Sequence, residues 1–293
     1  MWAEVHNITG RERCRPFSRA RAGARCIEFV AIAPTSASRR GIVNAPDFIK
    51  GAMFVNELLP NDTTVGEVVV PAALRVDVIA DLICPWSYLG KRRLDVAMQA
   101  VKGPSAVRWY PFQINPAMPN EGMPFERYLE LKFGGGDRMK VVLQQLTELG
   151  KTEGIEFRFD RLQTVPNTVN AHRLMALGRK LGKDTTAIAE DIYKSFFSDG
   201  KDIGDRQVLI EIAVRHGIDA EQVGRELDDE QTRLAVLAAE KSARESGVKG
   251  VPDFLLNRHV LVMGAQKTDD LIHAFDHAMF GRDDEQAVTP TLH

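Results

Sequence analysis

Leu74-Arg75-Val76-Asp77-Val78-Ile79-Ala80 runs directly into Asp81-Leu82-Ile83-Cys84-Pro85-Trp86-Ser87-Tyr88-Leu89-Gly90. The first seven residues are rich in β-branched side chains and partly alternate, the pattern of a strand. Leu89, Leu94, Val96-Ala97 and Val101 then approximate one helical face. Pro85 suits the first turn of that helix, where a backbone N–H would go unpaired in any case. Cys84 therefore stands where a strand ends and a helix begins. The first N–H groups of a helix lack partners, and its dipole is positive there. A thiolate at this point is favoured, so the pKa of Cys84 is expected below that of a free cysteine. The thiolate is the form that attacks disulfides. The alternative is a buried structural cysteine ahead of an ordinary helix.

Outward from this stretch, 107–112 reads as a second strand, and a βαβ opening builds a parallel pair through a right-handed crossover. A mostly helical block follows from 124 to 246. Its helices are predicted at 125–133, 138–153, 167–181, 185–197, 205–216, 219–227 and 232–246, punctuated by glycines such as Gly182, Gly200 and Gly217. Asn167 or Thr168 is the expected cap of the third. Strands return at 252–256 and 259–263 around the turn Asn257-Arg258, although arginine is not the favoured second turn residue. A last helix is expected at 267–279, with a frayed polar tail from Gly281. The order is strand, helix, strand, helical block, hairpin, helix.

The composition excludes several classes. A net charge of −2 over 293 residues gives no sign of a nucleic-acid or membrane-surface partner. No stretch of about 18 apolar residues is present to span a membrane. Three cysteines (Cys14, Cys26 and Cys84) are too few and too odd in number for a disulfide scaffold, and they fit a reducing, cytoplasmic location. Residues 1–40 hold eight arginines and three acids with no structural period. Residues 1–73 are therefore read as a disordered leader or an upstream extension, with Met53 as an alternative start. A transit peptide is the competing reading.

Gly247-Val248-Lys249-Gly250-Val251-Pro252 leads into the hairpin, and proline at the first position of a strand removes no ladder bond. Further motifs accompany it: Phe112-Gln113-Ile114-Asn115-Pro116, Asn167-Thr168-Val169-Asn170-Ala171-His172-Arg173-Leu174, Asp202-Ile203-Gly204-Asp205 and Gly264-Ala265-Gln266. With Cys84-Pro85-Trp86-Ser87, their order and spacing over 74–279 resemble the DsbA-like thioredoxin superfamily, particularly its FrnE-like cytoplasmic branch. That group is related to 2-hydroxychromene-2-carboxylate isomerases and kappa-class glutathione transferases.

The resemblance implies an α/β, thioredoxin-like fold with a large all-helical insertion. Residues 74–116 and 247–280 would form the thioredoxin-like domain, and 117–246 the insertion. Cys84 would be the nucleophile, with Ser87 beside it. Pro85, Trp86, Val251 and Pro252 would border the substrate, Pro252 being cis and the Val251 backbone pairing with an extended thiol substrate. Asn167 and His172 would face the cleft from the insertion, although His172 reads equally as a satisfied core histidine. The partner would be a protein or small-molecule thiol or disulfide, with no tightly bound cofactor, no metal, glutathione as a candidate co-substrate, and a homodimer admitted.

Two departures alter the expected chemistry. Ser87 occupies the place of a second cysteine, and a hydroxyl cannot close an intramolecular disulfide. Monothiol exchange or isomerisation is therefore favoured over dithiol oxidation. The alternatives are a glutathione-dependent isomerase or transferase acting on a small aromatic or polyketide-like substrate, and a non-enzymatic member that binds peptides or partners. Asp253 replaces the usual apolar residue after the proline and is expected to bring a charge near the strand edge. Lys91, Arg92 and Arg93 are read either as a solvated helix face or as an attraction for glutathione carboxylates. Glu240 and Arg244 have the spacing of a surface helical ion pair. His273 and His277 share a helix face but lack a third ligand. Gly134-Gly135-Gly136 lacks the lysine of a phosphate loop.

Overall fold

The computed structural model describes residues 42–44 (backbone only), 74–134 and 136–281. The strand β2, Leu74–Ala80, leads into helix α1, Pro85–Met98, and then strand β3, Ser105–Pro111. β2 and β3 pair in parallel, with Leu74 opposite Ser105 and Ala80 opposite Pro111. β1, Ile42–Asn44, precedes them; β6, Asp253–Leu256, and β7, Val260–Met263, follow the helical block. The mixed sheet has the order β1-β7-β6-β2-β3. Helix α9, Thr268–Phe280, closes the chain.

β2 and β6 are buried along almost their whole length because helices cover both faces of a central strand. On one face Leu74, Val76, Val78, Phe254, Leu256 and Val262 join Leu89 and Leu94 of α1 and Leu271 and Phe275 of α9. On the other, Ile79, Phe112, Leu255 and Leu261 form a smaller cluster with Ala243 and Val248.

The hairpin between β6 and β7 turns at Asn257 (φ 46°) and Arg258 (φ 65°), both left-handed. The loop spans three residues, 257–259, rather than the expected two, because Leu256 pairs with Val260 and β7 starts one residue later than the sequence suggested. Arg258 is accepted there because Asn257 anchors the turn. Its Oδ1 accepts from Arg75 N at 2.8 Å, and its Nδ2 donates to Ala278 O at 3.0 Å.

Between β3 and β6 come α2 (Phe125–Phe133), α3 (Asp137–Thr152), α4 (Val169–Lys180), α5 (Thr185–Phe197), α6 (Arg206–Arg215), α7 (Ala220–Asp228) and α8 (Glu230–Glu245). Helices α5 to α8 each begin at an aspartate (Asp184, Asp205, Asp219 and Asp229) whose carboxylate accepts from first-turn N–H groups. At α4 Thr168 holds the cap position but makes no side-chain cap bond, and Asn167 Oδ1 accepts from Val169 N instead. A short pair, β4 (Met123–Pro124) with β5 (Thr164–Val165), was not expected; two residues give no readable period.

The expected leader also needs a correction. Ile42–Asn44 lies inside 1–73, yet it forms an edge strand antiparallel to β7, with Ile42 opposite Val262. Three residues carry no sequence signal of their own; the partner strand supplies the pattern. The rest of 1–73, with Cys14, Cys26 and Met53, lies outside the described residues, as does the tail beyond Gly281 and Gly135 of the glycine run.

Candidate active site

Cys84 caps α1 in extended geometry (φ −90°, ψ 115°), with Pro85 in the first turn. Its N–H donates to Asp81 O at 3.1 Å, which fixes the sharp exit from the strand. Its thiol donates to the carbonyl of Val251 at 3.7 Å. The Val251–Pro252 bond is cis. Helix α1 lies directly against this loop, since a Cβ on Gly90 would come within 2.8 Å of Pro252 Cγ. Cys84, Ser87, Val251 and Pro252, separated by more than 160 residues in the chain, are thus brought together.

The electrostatics differ from the expectation. Cys84 is only 5% exposed, and burial pushes its thiol pKa up. The hydroxyl and amide of Ser87 and the ammonium of Lys132 on α2 favour the thiolate, while the charge of Asp81 opposes it. A helix N-terminus lowers a thiol pKa most effectively at a solvated end. Here loss of hydration outweighs the positive end of α1.

Behind the sulfur lies a group of poorly satisfied polar side chains. Ser87 is buried, and its Oγ has no hydrogen-bond partner. Asp81 is fully buried; its Oδ2 accepts from Ile114 N at 2.7 Å, but Oδ1 has no partner. His172 on α4 is 5% exposed and points Nε2 at that Oδ1 from 3.6 Å, too far for a hydrogen bond. Tyr193 on α5 donates its hydroxyl to Asp81 O at 3.3 Å, and its phenol pKa is raised by burial and by the nearby Cys84 and Asp81. A small cleft between β3, α4 and α8, lined by Trp109, Met175 and Val236 among others, reaches His172 but not Cys84.

Trp86 is half-buried and lies two residues after Cys84. Asn167 is a structural cross-link: it donates to Met118 O at 2.8 Å and accepts from Gln113 Nε2 at 3.4 Å.

Neither reading of the basic triplet holds. Lys91 is 4% exposed and pairs with Asp95 at 2.6 Å and Glu190 at 2.7 Å. Arg92 pairs with Glu190 at 2.9 Å, and Arg93 with Glu153 at 2.7 Å. Lys91 and Arg92 thus meet α5, while Arg93 meets the residue just past α3 and also donates to Ala265 O at 2.7 Å.

Asp253 is not near an edge. β6 is paired on both sides, the side chain is buried, and desolvation pushes its pKa up to about 7 against one weak bond from Gly264 N. The Glu240–Arg244 pair forms but is no surface pair. Glu240 is buried, and Arg244 also donates to Gln113 O and stacks over Phe112, 4.2 Å from the ring centroid. His273 and His277 are exposed on α9, and no set of three ligating side chains is arranged for a metal among the described residues.

Sequence reasoning missed Asp81, Gly90, Lys132 and Tyr193. Asp81 and Gly90 sit inside the quoted active-helix motif, where their signal was available. Lys132 and Tyr193 act on the sulfur electrostatically from distant helices and carry no local sign.

The DSBA-like thioredoxin domain family matches residues 75–276. The structure is similar to a probable DsbA oxidoreductase from Streptomyces coelicolor, at 28% identity and a TM-score of 0.65, covering 74% of this chain and 94% of that one. The uncharacterized protein YwbO of Bacillus subtilis is 23% identical over 198 residues, 66% of this chain and 92% of that protein.

Proposed function

Given that the chain belongs to the DSBA-like thioredoxin domain family, we propose that it is a thiol-disulfide oxidoreductase or isomerase working through one thiol, Cys84. The observation that carries this reading is the position of the sulfur: at the N-cap of α1, bonded to the Val251 carbonyl before the cis proline. The Cys84 thiolate attacks one sulfur of a disulfide R–S–S–R′, forming Cys84–S–S–R and releasing R′–S⁻. Ser87 cannot resolve this intermediate, and Cys84 is the free cysteine among the described residues. The second thiolate then comes from glutathione or from a substrate cysteine, and its attack returns Cys84 as thiolate with a new disulfide on the substrate.

The resting thiol occupies the Val251 carbonyl as a donor. Loss of the thiol proton removes that donor and frees the carbonyl to accept an N–H from an extended substrate, the pairing used in strand addition. Ionisation and substrate docking thus act in the same direction. No helix among the described residues is long and apolar enough to cross a membrane.

The test is exchange with a glutathionylated peptide, followed by mass spectrometry. A mixed disulfide at Cys84, with turnover falling to background in Cys84→Ala, is the expected result. Exchange that persists without Cys84 sinks the reading.

A glutathione-dependent isomerase or transferase is favoured by one observation, the buried and unpartnered Ser87 hydroxyl, which can hold a thiolate that is not the protein's own. In that case Cys84→Ala retains glutathione binding and Ser87→Ala loses it. The reverse pattern returns the assignment to Cys84.

A further inference from the structure

We infer that His172 is a positioning residue for the nucleophile: acting through Asp81, it holds the proton whose positive charge balances the Cys84 thiolate. This rests on the reading of Cys84 as the reacting group.

Two buried atoms face each other without a bond. Asp81 Oδ1 and His172 Nε2 are 3.6 Å apart, and neither has any other hydrogen-bond partner. Buried polar atoms in native proteins are overwhelmingly paired, so an orphaned couple calls for a function or a second state in which it is satisfied. Protonation of the imidazole supplies that state, because the pair then closes into a charge-assisted hydrogen bond.

Asp81 is coupled to the sulfur. Its backbone carbonyl holds the Cys84 N–H, and its charge disfavours the thiolate. A proton on His172 cancels that charge. The exchange is Cys84–SH plus neutral His172 giving Cys84–S⁻ plus protonated His172. One S–H bond is lost, one N–H bond forms on the imidazole ring, and no electrons change hands. A thiol buried to 5% exposure cannot rely on water to stabilise its anion, so a compensating cation inside the protein has the larger effect.

Other charged or titratable groups frame this couple. Lys132 of α2 favours the thiolate, and Tyr193 of α5 donates to Asp81 O and feels the charges of Cys84, Asp81 and Glu190. Ser87 of α1 favours the thiolate through its hydroxyl and amide. Tyr110 of β3 and Arg179 of α4 line the cleft that reaches His172. On β6, Asp253 follows the cis proline.

The experiment is the pH profile of Cys84 alkylation by iodoacetamide, in the full chain with Cys14 and Cys26 changed to serine. His172→Gln leaves the Asp81 charge uncompensated and moves the midpoint up by about half to one pH unit. Asp81→Asn removes the opposing charge, keeps an acceptor for Ile114 N, and moves the midpoint down. Opposite signs are the signature. No shift, or two shifts in one direction, overturns the inference.

If His172→Gln does not fold, the His172 ring is titrated by NMR in the cysteine-reduced chain, before and after Cys84 is blocked. Coupling is reciprocal, so the ring midpoint must move when the sulfur can no longer ionise. An unmoved ring overturns the inference. A Cys84 that shows the opposite shifts yet forms no mixed disulfide removes the proposed function and leaves the coupling standing.

Discussion

Helix α1 carries two buried polar clusters that are built in opposite ways. Around its second and third turns, Lys91, Glu190, Asp95 and the hydroxyl of Tyr88 form a set of ion pairs and hydrogen bonds at 2.6–2.8 Å, with Arg92 Nε beside them buried and left unpartnered. The ring of Tyr88 stacks on Tyr193 at 4.9 Å, with Phe157 and Phe197 beside it. At the N-terminus, Ser87 Oγ, Asp81 Oδ1 and His172 Nε2 are buried with no partner. A satisfied network fixes a position; an unsatisfied one leaves charge and protons free to redistribute. The same helix is locked to the insertion by one end and kept responsive at the other.

The largest expected departure tests a further underpaired group, Asp253. Its folded pKa of about 7 lies above that of an unfolded aspartate. The folded state therefore binds the extra proton, and this contribution to stability is full below about pH 4 and is lost as pH rises through 7. Asp253→Asn should flatten the profile and gain up to about 4 kcal/mol over the parent at pH 8. Urea unfolding at pH 5 and pH 8 checks this, and parallel profiles for the two proteins would break the grouping of Asp253 with the underpaired set.

Next comes the ion-paired cluster. Glu190→Ala removes the shared carboxylate and leaves buried Lys91 with Asp95 alone, for an expected loss of about 3 kcal/mol. The alkylation midpoint of Cys84 should move much less than in His172→Gln. A midpoint shift as large as that of His172→Gln would merge the two clusters into one.

Gly90→Ala pushes a Cβ to 2.8 Å from Pro252 Cγ and is expected to destabilise by about 2 kcal/mol, as overpacking does. Because the strain falls on the cis-proline loop, exchange activity should drop more than stability alone explains. Activity per folded molecule is the readout. The smallest effect is expected from Ser87→Ala. Its hydroxyl has no partner to lose, so stability changes by less than about 0.5 kcal/mol while the Cys84 midpoint rises. A large loss of stability would show that the hydroxyl is paired after all.

Much of the fold was legible because its signals are local. The strand Leu74–Ala80, the helix beginning at Pro85 and the hairpin at Asn257 each carry their own period or turn chemistry. The helices of the insertion were read to within one or two residues at most ends, since their caps and glycines are local too. The edge strand Ile42–Asn44 and the β4–β5 pair were not legible, because two or three residues become a strand only through a partner.

The site divides along the same line. Cys84, Ser87 and Pro252 announced themselves through position in a motif. The fate of Lys91, Arg92 and Arg93 did not, since nothing in three consecutive cations shows that Glu190 on α5 and Glu153 at the end of α3 wait across the fold.

By itself the sequence determined the order of elements, the place of Cys84 at a strand-to-helix junction and the absence of a second thiol at position 87. Those properties follow from neighbours along the chain. The tertiary structure alone decided how the sulfur is charged. Burial, Lys132 and Asp81 act through space, and desolvation by distant helices reversed the direction that the helix terminus alone predicts.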